Sequence, residues 1–180
     1  VVAQLRRLRY LQVGSAELKD PALRLLARLR HLRTLVFGEK PLGDLGELRK
    51  VRSLRAVALP WMNDEHLAQL SRLTQLRALM MRGEMCHVTD DGTSTLRRLT
   101  HLQLLVLPCR GISGKGFLRQ LPALRWIELD HASLADHALA DIRALKQLRL
   151  LSLRHTWVRH PDLSGLAALQ VLDLSETKVQ

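Results

Sequence analysis

The sequence predicts an α/β solenoid in which short parallel strands line a concave face and helices or 3₁₀ turns close the convex side. Three observations predict it. The apolar skeleton L-x-x-L-x-x-L-x-L recurs eight times along 180 residues. All 32 positions that define the skeleton are apolar, in a chain that is 47% apolar overall. Aromatic residues make up only 3%, so the core must be filled by aliphatic side chains, which suits many thin identical layers better than one globular centre.

The copies begin at Leu5, Leu29, Val51, Leu73, Leu99, Leu121, Leu145 and Leu166, at spacings of 21 to 26 residues, so 1–180 reads as a single repeat domain. The end of each copy alternates, as Leu172 and Leu174 do around Asp173, and a period of two turns the leucines inward and the intervening residue outward. Between the strands, 20–28, 63–72 and 134–144 have helical spacing, with Asp20 before Pro21 as a cap and first-turn signal. The segment 160–165 has room for no more than a 3₁₀ turn. Residues 85–90 carry an insertion of about two residues relative to the other copies. The chain opens before one full copy and closes after the strand of another, so it is expected to be a slice of a longer array without caps.

The stretches LQVLDLSETKV, LRLLSLRHTWV and LRTLVFGEKPL resemble the leucine-rich repeat motif LxxLxLxx(N/T)x(L/V). VTDDGTSTLRRL is similar to bacterial VTDxGLxxLxxL units, and HPDLSGLAALQVLDLSETKV resembles the short units of internalin-like proteins. The resemblance covers essentially the whole chain and implies a curved bacterial solenoid that binds macromolecules, usually proteins, through its concave sheet. The chain departs from the motif where Asn or Thr normally stands. That column reads Ala16, Lys40, Met62, Glu84, Arg110, Ala132, Thr156 and Thr177, and the charged members are expected to swing outward or distort their turns.

Parallel strands lie ~4.8 Å apart, so equivalent positions align as columns. One outward column is Tyr10, Thr34, Ala56, Ala78, Leu104, Trp126, Leu150 and Val171; the next is Gln12, Val36, Ala58, Met80, Val106, Glu128, Ser152 and Asp173. Val36, Ala58, Met80, Leu104, Val106, Trp126 and Leu150 would form an apolar patch, read as a protein interface ahead of a surface covered by loops. Trp61 is placed near its upper edge. Glu128, Asp130, Arg154 and Asp173 supply a polar side, with Asp130 and Arg154 as a cross-strand ion pair.

Arginines repeat at Arg9, Arg33, Arg55, Arg77, Arg125 and Arg149, a column completed by Gln103 and Gln170, in a chain of net charge +11. They read either as a solubilising edge or as a track for an acidic protein, nucleic acid or anionic membrane. Cys109, His131, His155 and Glu176 form a further column of metal-ligand types, but parallel side chains need not converge, and no metal is expected.

Enzymatic signals fail on spacing. In RGISGKGF, Gly111 and Gly114 are too close for a phosphate loop, and Lys115 is followed by Gly116 where Ser or Thr is needed. In DHASLADHALAD, Asp130 and His131 lie at a strand, whereas Asp136, His137 and Asp141 lie on the convex side. No cofactor motif and no small-molecule site is expected. Cys86 and Cys109 are too few for a disulfide framework, and no leader or membrane-length apolar run is visible, so a reducing, cytoplasmic setting is expected. The sequence thus predicts a non-catalytic recognition arm of a larger bacterial protein, docking an unidentified protein on its concave face.

Overall fold

The computed structural model describes residues 5–14, 20–38, 43–83 and 85–180, and the side chains of 20–22 are left aside. Ala16, Lys40 and Glu84 of the turn column fall outside the described residues. Eight strands among those described form one parallel sheet in chain order. They are β1 (Tyr10–Val13), β2 (Thr34–Phe37), β3 (Ala56–Leu59), β5 (Ala78–Met81), β7 (Leu104–Val106), β8 (Trp126–Glu128), β9 (Leu150–Ser152) and β10 (Val171–Asp173). Two short strands, β4 (Met62–Asn63) and β6 (Cys86–His87), pair separately beyond the sheet edge.

The register follows the expected columns. Tyr10 pairs with Thr34, then Ala56, Ala78, Leu104, Trp126, Leu150 and Val171 in turn. Every skeleton position from Leu29 to Leu166 is buried, one layer per copy. Leu5 and Leu172, in the first and last described copies, are exposed.

Where each strand begins, the backbone carries a second ladder. The carbonyl of Arg9 accepts from the N–H of Arg33 at 2.8 Å and of Thr34 at 3.0 Å. The same doubled acceptance recurs at the carbonyls of Arg33, Arg55, Arg77, Gln103, Arg125 and Arg149.

The convex side is mixed, as spacing predicts. Helix α1 spans Asp20–Leu26, and α2 spans Asp64–Leu70 with the Asn63 side chain accepting from the His66 N–H at 2.9 Å as its cap. Helix α3 is a single turn, Asp90–Thr93, continued as 3₁₀ helix over Ser94–Arg98. The segment expected to be one helix over 134–144 is divided into a 3₁₀ turn, Asp136–Ala138, and α4, Leu139–Ile142.

Carboxylates at the starts of these segments stitch each copy to the next. Asp64 accepts from the N–H of Thr89 at 2.8 Å and its hydroxyl at 2.7 Å, and Asp90 takes the N–H of Ser113 at 2.8 Å. Asp136 accepts from the N–H groups of Arg159 and His160. These bonds satisfy backbone donors that no strand partner reaches.

The insertion expected at 85–90 lies slightly earlier. Leu59 pairs with Met81 and Met62 with Cys86, so the later copy holds two more residues between paired positions. This places Cys86 against the following copy, where it is disulfide-bonded to Cys109 across a Cα separation of 5.1 Å. The sequence reading took the two cysteines as too few for a disulfide framework and did not anticipate this single bond between neighbouring copies.

Candidate recognition groove and basic flank

The concave face deepens toward the C-terminal ends of β5, β7 and β8 into a groove of about 960 Å³. Met80, Leu104, Val106 and Trp126 form its apolar floor; Arg82, Gly83, Pro108 and Arg110 rise from the turns beyond the strands, and Glu128, Asp130, His131 and Arg154 close the far side. The groove thereby gathers seven sequence-derived candidates: Met80, Leu104, Val106, Trp126, Glu128, Asp130 and Arg154. Leu150, half-buried beside Trp126 in register, and Asp173 do not line it.

Trp61 does not line the groove. It is half-buried and packs edge-on against His66 of α2, with ring centroids 4.7 Å apart. Val36 and Ala58 are also withdrawn from the surface, at 5% and 1% exposure. Ala58 stands in register between the longer Val36 and Met80.

The groove's carboxylates are occupied from within. Glu128 accepts from the Trp126 indole Nε1 at 2.7 Å. Asp130 accepts from the Ser152 hydroxyl at 2.6 Å and from the backbone N–H of Arg154 at 3.1 Å. The expected ion pair is therefore replaced: Asp130 holds the Arg154 backbone, and the Arg154 guanidinium lies 3.8 Å from Asp173. The Ser175 hydroxyl and N–H donating to Asp173, with Arg154 adding to them, hold that carboxyl below the usual carboxylate range. Arg82 and Arg110 are exposed and form no ion pair with a described residue, so two guanidiniums at the groove are open to a partner's carboxylate.

The column containing Cys109 also resolves differently. His131, His155 and Glu176 sit in the left-handed region at φ 61°, 54° and 57°, and the two imidazoles stack with centroids 4.5 Å apart. In those copies the next residue, Ala132, Thr156 or Thr177, turns inward, and each threonine hydroxyl donates to a strand-end carbonyl. In the Cys109 copy the inward place goes to Cys109 itself, fully buried, while Arg110 swings out as its charge requires. Among the described residues no group of three or more His, Cys, Asp or Glu is placed to hold a metal. RGISGKGF is a turn between copies: Gly114 has φ 85°, and a Cβ there would lie 2.4 Å from the Leu134 side chain.

At the opposite edge the arginine column runs from Arg9 to Arg149, with Gln103 standing in one place. Arg9, Arg33, Arg77, Arg125 and Arg149 are exposed, Arg55 is half-buried, and none forms an ion pair among the described residues. Within it, Arg55, Gln75, Arg77, His101, Gln103 and Ala123 enclose a recess of about 240 Å³.

The architecture matches solved structures along nearly the whole chain. An internalin (inlF) from Listeria monocytogenes superposes with a TM-score of 0.77 at 22% identity, covering 99% of this chain and 51% of that one. The chain has the leucine-rich repeat fold. Internalin C2 from the same organism superposes with a TM-score of 0.78 at 18% identity over 96% of this chain and 73% of its own. A leucine-rich repeat protein of Leptospira interrogans gives 0.74 at 19% over 98% and 45%. The fold is thus one that these bacterial proteins share, and the chain spans about half the length of the first and third of them. No family model and no curated protein matches the sequence.

Proposed function

We propose that this chain is a non-catalytic recognition module of a larger bacterial protein, docking an acidic protein segment with an apolar anchor in the concave groove. One observation carries the reading. Apolar floor and exposed Trp126 lie beside Arg82 and Arg110, while the neighbouring carboxylates are engaged by the protein's own donors. A partner's apolar side chain would cover the indole and Met80, and its carboxylate would meet the free guanidiniums. Leu150 and Asp173 act as flanking and orienting residues, Asp173 through Arg154. Trp61, packed on α2, takes no part. The Cys86–Cys109 bond favours an oxidising setting over a cytoplasmic one.

The test is selection from a displayed peptide library followed by affinity measurement. Acidic peptides carrying a large apolar residue should be enriched, and Trp126→Ala with Met80→Ala should weaken the selected peptides at least about tenfold. Enrichment of basic peptides, or equal affinity for the variant, would overturn the reading.

A further inference from the structure

We infer that the arginine flank is a second binding site, separate from the groove, and that its ligand is a sulfated polysaccharide chain. Six guanidiniums arise from equivalent positions of seven successive strands, in single file, with ~4.8 Å between neighbouring strands. No described acidic side chain neutralises them. Like charges held this close repel, so the row is most stable with a polyanion lying along it.

The shape of the row sorts polyanions. The column offers at most one guanidinium per strand, so a single extended chain can follow it from strand to strand. The recess within it offers two guanidiniums, two amides and an imidazole from Arg55, Arg77, Gln75, Gln103 and His101. Arginine binds sulfate through paired N–H groups, and amides bind hydroxyls, the two group types that alternate along a sulfated sugar. The recess holds no Phe, Tyr or Trp, so a nucleic-acid single strand would find only the small His101 ring and the guanidinium planes to stack on. One guanidinium is already positioned: Arg55 Nη1 donates to the carbonyls of Arg52 at 3.0 Å and Leu54 at 2.9 Å, which holds the side chain against the edge.

The experiment measures binding of a fluorescent heparin decasaccharide by the whole chain across a salt series, with oligothymidine and phosphatidylserine vesicles as parallel probes. The decasaccharide should bind with affinity falling steeply with salt, and Arg33→Gln/Arg55→Gln/Arg77→Gln should lose at least about tenfold affinity and flatten the salt slope. Lys115→Gln/Arg119→Gln/Arg159→Gln removes the same charge from elsewhere and should change affinity by less than about threefold, within the reach of net charge alone. Equal loss in both variants, no binding at low salt, or tighter binding of oligothymidine or vesicles than of the decasaccharide would each overturn the assignment. A folded far-ultraviolet spectrum accompanies every variant, so a folding failure is not counted as lost binding.

Discussion

The indole Nε1 of Trp126 donates to Glu128 Oε1 at 2.7 Å, binding two side chains that project from the same face of β8. The ring is thereby laid along the groove floor instead of sweeping freely, which lowers the ordering cost when a ligand covers it. In a background with Trp61 and Trp157 replaced by Phe, Glu128→Ala should lower the fluorescence anisotropy of Trp126. Glu128→Gln, which keeps an acceptor oxygen, should not. Because the pair is exposed, stability should move by less than about 1 kcal/mol in either variant; equal anisotropy for Ala and wild type would show that the bond does not orient the ring.

The disulfide should be a large single contributor to stability. It closes a loop between Cys86 and Cys109, 23 residues apart in sequence. Reduction, or Cys86→Ala/Cys109→Ala, should cost about 2 to 4 kcal/mol, read as a lower melting temperature in calorimetry. The double variant should then be insensitive to reductant; a wild-type melt that also ignores reductant would contradict the bond.

Two threonines in equivalent places should differ in consequence. Thr156 is buried and donates to the Leu153 carbonyl at 2.7 Å, whereas Thr177 makes the matching bond to Leu174 at 2.6 Å while half exposed. Valine at 156 should cost about 1 to 2 kcal/mol by leaving that carbonyl unpaired away from water, and valine at 177 clearly less. Chemical denaturation of the pair measures the difference, and equal losses would mean that burial is not what sets it.

Gly92 should reverse the usual helix rule. Alanine ordinarily stabilises a helical site by about 0.5 to 1 kcal/mol relative to glycine. Here an added Cβ would sit 2.0 Å from Asp64 Oδ1, the oxygen that takes the Thr89 N–H. Gly92→Ala should therefore destabilise, and much of that loss should vanish in an Asp64→Ala background. A stabilising Gly92→Ala would mean that the carboxylate moves aside freely.

Acid should loosen the convex side. The Arg159 N–H, followed by that of His160, holds the Asp136 carboxyl below its ordinary value, and the Ser164 hydroxyl does the same for Asp162. A folded value lower than the unfolded one contributes stability that is complete above the unfolded value, about 3.9, and is lost as pH falls through the folded value. Melting temperature should drop as pH is lowered below about 4. Asp136→Asn, which keeps an uncharged acceptor, should show a shallower drop; an identical profile would remove Asp136 from the acid response.

What the sequence made legible follows from what repeats. Strand register was readable because the period of two and the recurring leucines leave a single alignment for all eight copies, and the arginine column came with it. The Cys86–Cys109 bond was not, since it depends on a two-residue insertion carrying one cysteine into the next copy, and 23 residues of separation give no local signal. The burial of Ala58 was missed for a related reason: a column states which way a residue points, not how far its neighbours overhang it. Asp130 and Arg154 were correctly placed as neighbours, but a nearby backbone N–H and a serine hydroxyl outcompeted the guanidinium for the carboxylate. Cys109 replaced Arg110 at the inward place because a buried charge costs more than a shifted turn.

The doubled hydrogen bonds at the carbonyls from Arg9 to Arg149 fix the peptide from which each guanidinium springs. The stems can swing, but their roots cannot slide. The flank is therefore a ruler with its graduations cut into the backbone, and it should select among polymers by the pitch of their charges more than by how much charge they carry.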